Sequence, residues 1–226
     1  MGKCIINSFI FIFLISVLFS TYVYAFKTAG SNNTKKNESQ AEMKKAYTPT
    51  SQEAGSLKVF SEILDVIEST RDRKSILPKI EELYDKIISE YPDAPLAQES
   101  YWKLITLYIE DYSPPAYDKA EARYNEFIKK YPKSALKGFL SEELGRSYYR
   151  NAMWKKLLEV CTPLFREHIE QGTRTRASLL FMYAEANYNL GNVAEAEKGY
   201  EIVVEKFPKL NEGVKSKSRL KTRSGL

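Results

Sequence analysis

Residues 177–208, ASLLFMYAEANYNLGNVAEAEKGYEIVVEKFP, decide how the rest of the chain is read. Leu180, Tyr183 and Ala184 fall on one face of a first helix. Gly191 ends that helix in the left-handed conformation that glycine adopts cheaply, and Asn192, with Glu195 three residues on, caps the next one. Ala196, Tyr200 and Val203 line the second helix, and Pro208 stops it. The small residues Ala184 and Ala196 let the two helices approach closely.

The aromatic-proline ending of this stretch recurs. Tyr91-Pro92, Tyr131-Pro132 and Phe207-Pro208 each close an amphipathic segment, and the prolines stand forty and then seventy-six residues apart, one period and two. A helix pair of that length cannot bury its apolar stripe alone, so successive pairs must stack into a solenoid. Residues 138–169 read as another pair, with Leu144, Gly145 and Tyr148 on the first helix and Leu157, Cys161 and Leu164 on the second. Leu157 stands where a small residue is expected, and with no closing proline the second helix should run on to Gln171 before Gly172. Residues 98–132 fit if Ser113-Pro114-Pro115 lie in the turn between helices; Tyr101, Leu104, Tyr108, Ala120, Tyr124 and Phe127 then form the stripe. Residues 61–92 give a fourth pair through Leu64, Ile67, Ile80, Tyr84 and Ile87. Residues 209–220 are expected to form a short polar helix over the last exposed stripe.

The pattern of Ala184, Gly191, Ala196, Tyr200 and Pro208 resembles the tetratricopeptide repeat. The resemblance implies an all-α, right-handed superhelical solenoid of antiparallel helix pairs, about four repeats plus a C-terminal capping helix, spanning residues 57–208 with a basic cap and tail at 209–226. Within that superfamily, the aromatic-proline endings, Lys133-Ser134 after one of them and a period above about thirty-four residues are similar to exported bacterial proteins of the outer-membrane assembly lipoprotein and Tol-Pal-associated groups. Cys4 precedes the apolar run instead of following it, which departs from a lipoprotein.

The first residues look like a targeting segment. Lys3 supplies a basic start, residues 9–19 are apolar except for Ser16, and Val23-Tyr24-Ala25 has small residues where a signal peptidase reads. Residues 1–25 are thus expected to be a signal peptide cleaved after Ala25, with an uncleaved anchor over residues 4–26 as the alternative. The expected location is the bacterial periplasm, or its inner membrane if the anchor stays. Residues 26–56 are polar, lack apolar periodicity and read as a flexible tether. Asn32-Asn33-Thr34 and Asn37-Glu38-Ser39 match the glycosylation acceptor pattern, as chance allows in an Asn-rich stretch.

With 226 residues, 43% hydrophobic and 28% charged, the chain has material for a sizeable core. Its net charge of +5 is uneven. Residues 57–208 are mildly acidic, whereas Lys209, Lys215, Lys217, Arg219, Lys221 and Arg223 face only Glu212. Such a tail is a solvated helix end, or touches anionic lipid; nucleic acid is not an expected partner of an exported protein. Cleavage would leave Cys161 alone, on the apolar face of Leu157, Leu158, Leu164 and Phe165, where it reads as a core residue.

Nothing in the chain points to catalysis. The single histidine, His168, sits near a helix end, where the macrodipole accounts for it. The acid pairs Glu81-Glu82, Glu110-Asp111 and Glu142-Glu143 are adjacent on helices and point about 100° apart. No phosphate loop, zinc spacing or calcium loop is present, so no cofactor or metal is expected. Function should therefore lie on a surface. By the resemblance, first helices line a concave face, and the residues projecting into it are Trp102, Thr106 and Ile109, then Phe139, Glu142, Arg146, Tyr149 and Arg150, then Phe181, Glu185, Tyr188 and Asn189. Rings and arginines of this kind make binding hot spots. They would hold an extended peptide or a helix of a protein partner, with Arg146 and Arg150 on its carboxylates. The Lys and Asn clamp of chaperone-tail binders is missing, since Asp65, Ser69, Trp102 and Thr106 stand where it would begin. The expected function is a non-enzymatic, exported scaffold of the bacterial envelope. The alternative is a membrane-tethered structural part of an envelope assembly without a dedicated groove.

Overall fold

The computed structural model describes residues 49–223, and over these the chain forms nine α-helices and no strand. They are α1 (Ser51–Ser69), α2 (Arg73–Glu90), α3 (Pro95–Thr106), α4 (Tyr117–Lys130), α5 (Lys137–Arg150), α6 (Trp154–Gln171), α7 (Ala177–Asn189), α8 (Val193–Lys206) and α9 (Asn211–Arg223). The end of α3 widens into a π-helical turn, Leu107–Asp111. The signal-peptide and acceptor-site readings, most of the tether and the last three residues lie outside the described part. Among the described residues no helix is long and apolar enough to cross a membrane.

Each helix packs antiparallel on its chain neighbours, and each odd-numbered helix also touches the next odd-numbered one, from α1 through to α9. The even-numbered helices make no comparable backbone approach to one another. The odd helices are therefore the inner arc of an all-α solenoid of four helix pairs, with α9 in the place a fifth pair would begin. Between the outer helices, long side chains span the gap one repeat apart. Lys119 reaches Glu81 (2.9 Å), Arg123 reaches Asp85 (2.7 Å) and Lys156 reaches Glu121 (2.8 Å).

The proline endings act as read from the sequence. Tyr91, Tyr131 and Phe207 each stand one residue past a helix, with the backbone N–H still bonded to the carbonyl four residues back. Tyr131 also donates its hydroxyl to the Pro92 carbonyl (3.1 Å), so one repeat's ending is fastened to the previous one's. Gly191 (φ 80°) and Gly172 (φ 65°) occupy the left-handed region, the latter after α6 has run on to Gln171 as expected. Leu157 is fully buried, and the space it needs comes from Gly145, where an added Cβ would lie 3.4 Å from its Cδ1. Cys161 is buried, and burial pushes its thiol pKa up, as suits a core residue.

Three readings need correction. The tether does not extend to residue 56, because α1 starts at Ser51. Thr50 accepts from the Glu53 N–H (3.2 Å) while its own N–H donates to the Glu53 carboxylate (2.8 Å). The stripe of α1 is Ser56, Val59 and Ile63, continued by the half-buried Ile67 one turn on; Leu64, next to Ile63, lies off the seam. Asn192 precedes α8 but its side chain does not cap it: Nδ2 donates to Asn187 Oδ1 (3.1 Å), and Glu195 accepts the Tyr183 hydroxyl (2.8 Å).

Candidate functional site: the inner helical face

The inner face is carried by α3, α5, α7 and α9, whose packing stripes are sealed between repeats. On α5, Leu140, Leu144 and Tyr148 face the core, which leaves Phe139, Arg146, Tyr149 and Arg150 on the other side. Arg146 and Arg150 are the most open of these, with side chains 58% and 59% exposed. Each is braced. Arg146 donates to Glu142 (2.6 Å) on its own helix, and Arg150 lies 3.6 Å from Glu110 at the end of α3.

Glu142 is itself 6% exposed. It accepts from Arg146 and from the Ser178 hydroxyl of α7 (2.7 Å), and it pairs with Arg176 at the entrance to α7. Burial opposes its ionisation, yet the bonds from Ser178 and Arg146 and the charges of Arg176 and Arg146 outweigh that and hold its carboxyl below the usual range. The Arg176 guanidinium also lies over the Phe139 ring, 4.4 Å from its centroid. Glu143, next along, is pushed the other way, by burial first and then by the nearby Glu110 charge.

A second junction surrounds Glu185 on α7. Tyr149 donates to it from α5 (3.1 Å), Tyr200 from α8 (2.6 Å) and Arg219 from α9 through two nitrogens (2.8 and 2.9 Å). Burial and the bond to Glu185 both raise the Tyr200 hydroxyl pKa. Tyr188 remains open at 40% and carries the Arg219 guanidinium 5.3 Å from its ring centroid. Asn189 is exposed and donates to the Glu185 backbone carbonyl (2.8 Å).

Of the twelve residues assigned to this face from sequence, eight keep some surface: Trp102, Thr106, Phe139, Arg146, Tyr149, Arg150, Tyr188 and Asn189. Ile109, Glu142, Phe181 and Glu185 are buried and present no free surface. Ile109 is turned inward where the helix widens into its π turn, and Phe181 packs against Tyr200, with centroids 6.2 Å apart. The two carboxylates are consumed as braces. Arg176 and Arg219, which complete both junctions, were not assigned. Arg176 lies between α6 and α7, Arg219 in the stretch read as a solvated basic tail, and each finds its carboxylate 34 residues away along the chain, with no local mark of the pairing.

On the outer side, an open cleft of about 400 Å³ lies between α6, α7 and α8, against Phe165, Ile169, Tyr183 and Lys198. Its floor is the stacked Phe165–Tyr183 pair, 3.9 Å between centroids. Among the described residues no three His, Cys, Asp or Glu side chains gather as metal ligands would. His168 holds the turn after α6, its Nδ1 2.8 Å from the Thr173 carbonyl oxygen.

No curated protein and no solved structure matches the chain. A family model described as tetratricopeptide repeat matches residues 116–134 and 178–209. The first span covers α4 with its Tyr131-Pro132 ending and the second covers α7 and α8, so the chain carries repeats of the tetratricopeptide type, stacked as a helical solenoid.

Proposed function

We propose that the chain is a non-enzymatic scaffold that docks a protein partner on the inner face of its solenoid. The observation that carries this reading is the row of open side chains along the odd helices: Arg146 and Arg176 rooted on the buried Glu142, Arg150 paired with Glu110, and Tyr188 under the Arg219 guanidinium. Guanidinium planes fixed in this way lose little freedom on binding and keep outward N–H edges for a ligand's oxygens. A photo-cross-linking residue placed at Asn189, exposed on the inner face, should trap one defined partner from an extract, whereas the same residue at the exposed outer Lys155 should not. Arg146→Ala with Arg150→Ala should weaken that capture at least tenfold and leave the helical circular dichroism unchanged. Equal trapping at both positions would remove the inner face from consideration.

The site of action we propose is the bacterial envelope, as an exported protein. Lys3, the apolar residues 9–19 and Val23-Tyr24-Ala25 support that reading. N-terminal sequencing of the mature protein tests it: a chain beginning at Phe26 is expected, and an intact Met1 would favour retention of an anchor.

A further inference from the structure

The last helix, α9, is held firmly on one side and open on another. Gly213, Ser216 and Leu220 seat it on α8, so closely at Gly213 that a Cβ there would strike the Phe207 carbonyl. Arg219 ties it to Glu185 of α7. The open side carries Leu210, 48% exposed, and Val214, 61% exposed. The two stand one turn apart, with the Val214 N–H bonded to the Leu210 carbonyl (3.0 Å), and Lys217 continues the same face.

Because α9 stands where a fifth pair would begin, this is the face that a following helix would cover. Its make-up suits a different neighbour. Lys217 interrupts the apolar stripe, and Lys209 and Lys215 stand beside Leu210 and Val214 in the chain. All three lysines are exposed, and among the described residues none pairs with a carboxylate. Glu212 is the one acid on the helix. A cap built for solubility alone needs only a polar outer face. A nucleic acid would use the cations but has no need of two open aliphatic side chains, and the α9 of a second copy brings the same charge and is repelled. Cations around a short aliphatic ridge suit a helix lying on an anionic bilayer, where the ridge enters the headgroup boundary and the lysine stems reach back to the phosphates.

We propose that the outer face of α9, built from Leu210, Val214, Lys209, Lys215 and Lys217, docks on the surface of a bilayer containing anionic lipid. Its tight seat on α8 presents the face preformed, so contact orders little more than the lysine side chains. This contact is separate from protein docking on the inner face, and neither depends on the other.

The test uses Val214→Trp in the full chain, whose own Trp102 and Trp154 are half-buried and supply the background. On vesicles of brominated phosphatidylcholine with phosphatidylglycerol at about one lipid in three, the added fluorescence should fall at least twofold, because bromine quenches only at close range. The fall should vanish on phosphatidylcholine alone, and when Lys209→Glu, Lys215→Glu and Lys217→Glu are combined. Ile169→Trp, at a position 45% exposed on α6, should show no such fall. That comparison separates α9 from any tethering by residues 1–48, which contain no tryptophan. If circular dichroism shows that the triple Glu chain has lost helix, high salt replaces it, since salt screens the lysines without substitution. Absence of quenching at Val214→Trp, equal quenching at Ile169→Trp, or quenching that persists on neutral vesicles or without the lysine charge overturns the proposal. So does a nucleic acid that binds the chain while vesicles leave Val214→Trp bright, or a dimer that the Glu substitutions dissociate with no quenching in the parent chain.

Discussion

Two glycines show how differently single residues weigh in this solenoid. At Gly199 of α8, an added Cβ would come 2.8 Å from the Ala184 Cβ and 3.2 Å from its Cα, closer than carbon atoms pack. Ala184 is backbone-bound and cannot swing away, so α7 and α8 would have to part. At Gly138 in the first turn of α5 the nearest atom to such a Cβ is Arg176 Cδ at 3.9 Å, an ordinary contact. Gly199→Ala should therefore destabilise the chain by about 1–3 kcal/mol through overpacking. Gly138→Ala should stabilise it by about 0.5–1 kcal/mol through helix propensity. Urea melts of both variants check the pair, and a shared sign would contradict the packing argument. Ala184 was legible as a small residue at a helix crossing. Gly199 was not, because its need for smallness comes from the Ala184 side chain on the opposite helix.

Among the helices, the ones with terminal punctuation were the most legible. The aromatic-proline endings of α2, α4 and α8, and Gly172 after α6, are backbone signals that act where they stand, so their positions carried over from the sequence unchanged. The start of α1 was hidden by composition, since residues 26–56 are uniformly polar and α1 buries only Ser56, Val59 and Ile63. A capping box was nonetheless present in Thr50-Ser51-Gln52-Glu53. Thr50→Ala removes its acceptor and should cost about 1 kcal/mol, concentrated at the helix start. Amide hydrogen exchange should then quicken over residues 51–56 and stay unchanged in α7 and α8; uniform quickening would mean that α1 is not separable from the rest. The inner face was half legible for a related reason. Helical periodicity tells which residues leave the packing seam, and it found Arg146, Arg150 and Tyr188. It does not tell which of them meet a partner one repeat away, so Glu142 and Glu185 were read as open when Arg176 and Arg219 close them.

Across the described residues, carboxylates make many of the links between repeats, and this makes stacking sensitive to acid. Lys119 bonds and the Tyr108 and Tyr112 hydroxyls hold Glu81 below the usual carboxyl range against the opposing effect of burial; Lys156 and Tyr148 do the same for Glu121, and Ser178, Arg146 and Arg176 for Glu142. Apart from Arg146, which shares a helix with Glu142, each partner joins one repeat to the next. A carboxyl depressed in the folded state contributes stability that is full above its unfolded value, near 4.5, and is lost as the pH falls through the folded value. Asp85, Glu99 and Glu143 are raised, by burial first, so their protonation on moving down from neutral pH favours the folded chain instead. The two groups act in different windows. Stability should hold or rise slightly from pH 7 towards about 5, then fall once the pH drops below about 4, the ordinary carboxyl range. Because a solenoid's stability is the sum of its repeats and the interfaces between them, loss of the bridges should broaden the thermal transition as well as lower it. Circular dichroism melts at pH 7, 5 and 3 would show this, and Glu142→Gln, which removes one titrating bridge, should flatten the dependence between pH 5 and 3. A variant with the wild-type acid slope would show that Glu142 does not carry the coupling between α5 and α7.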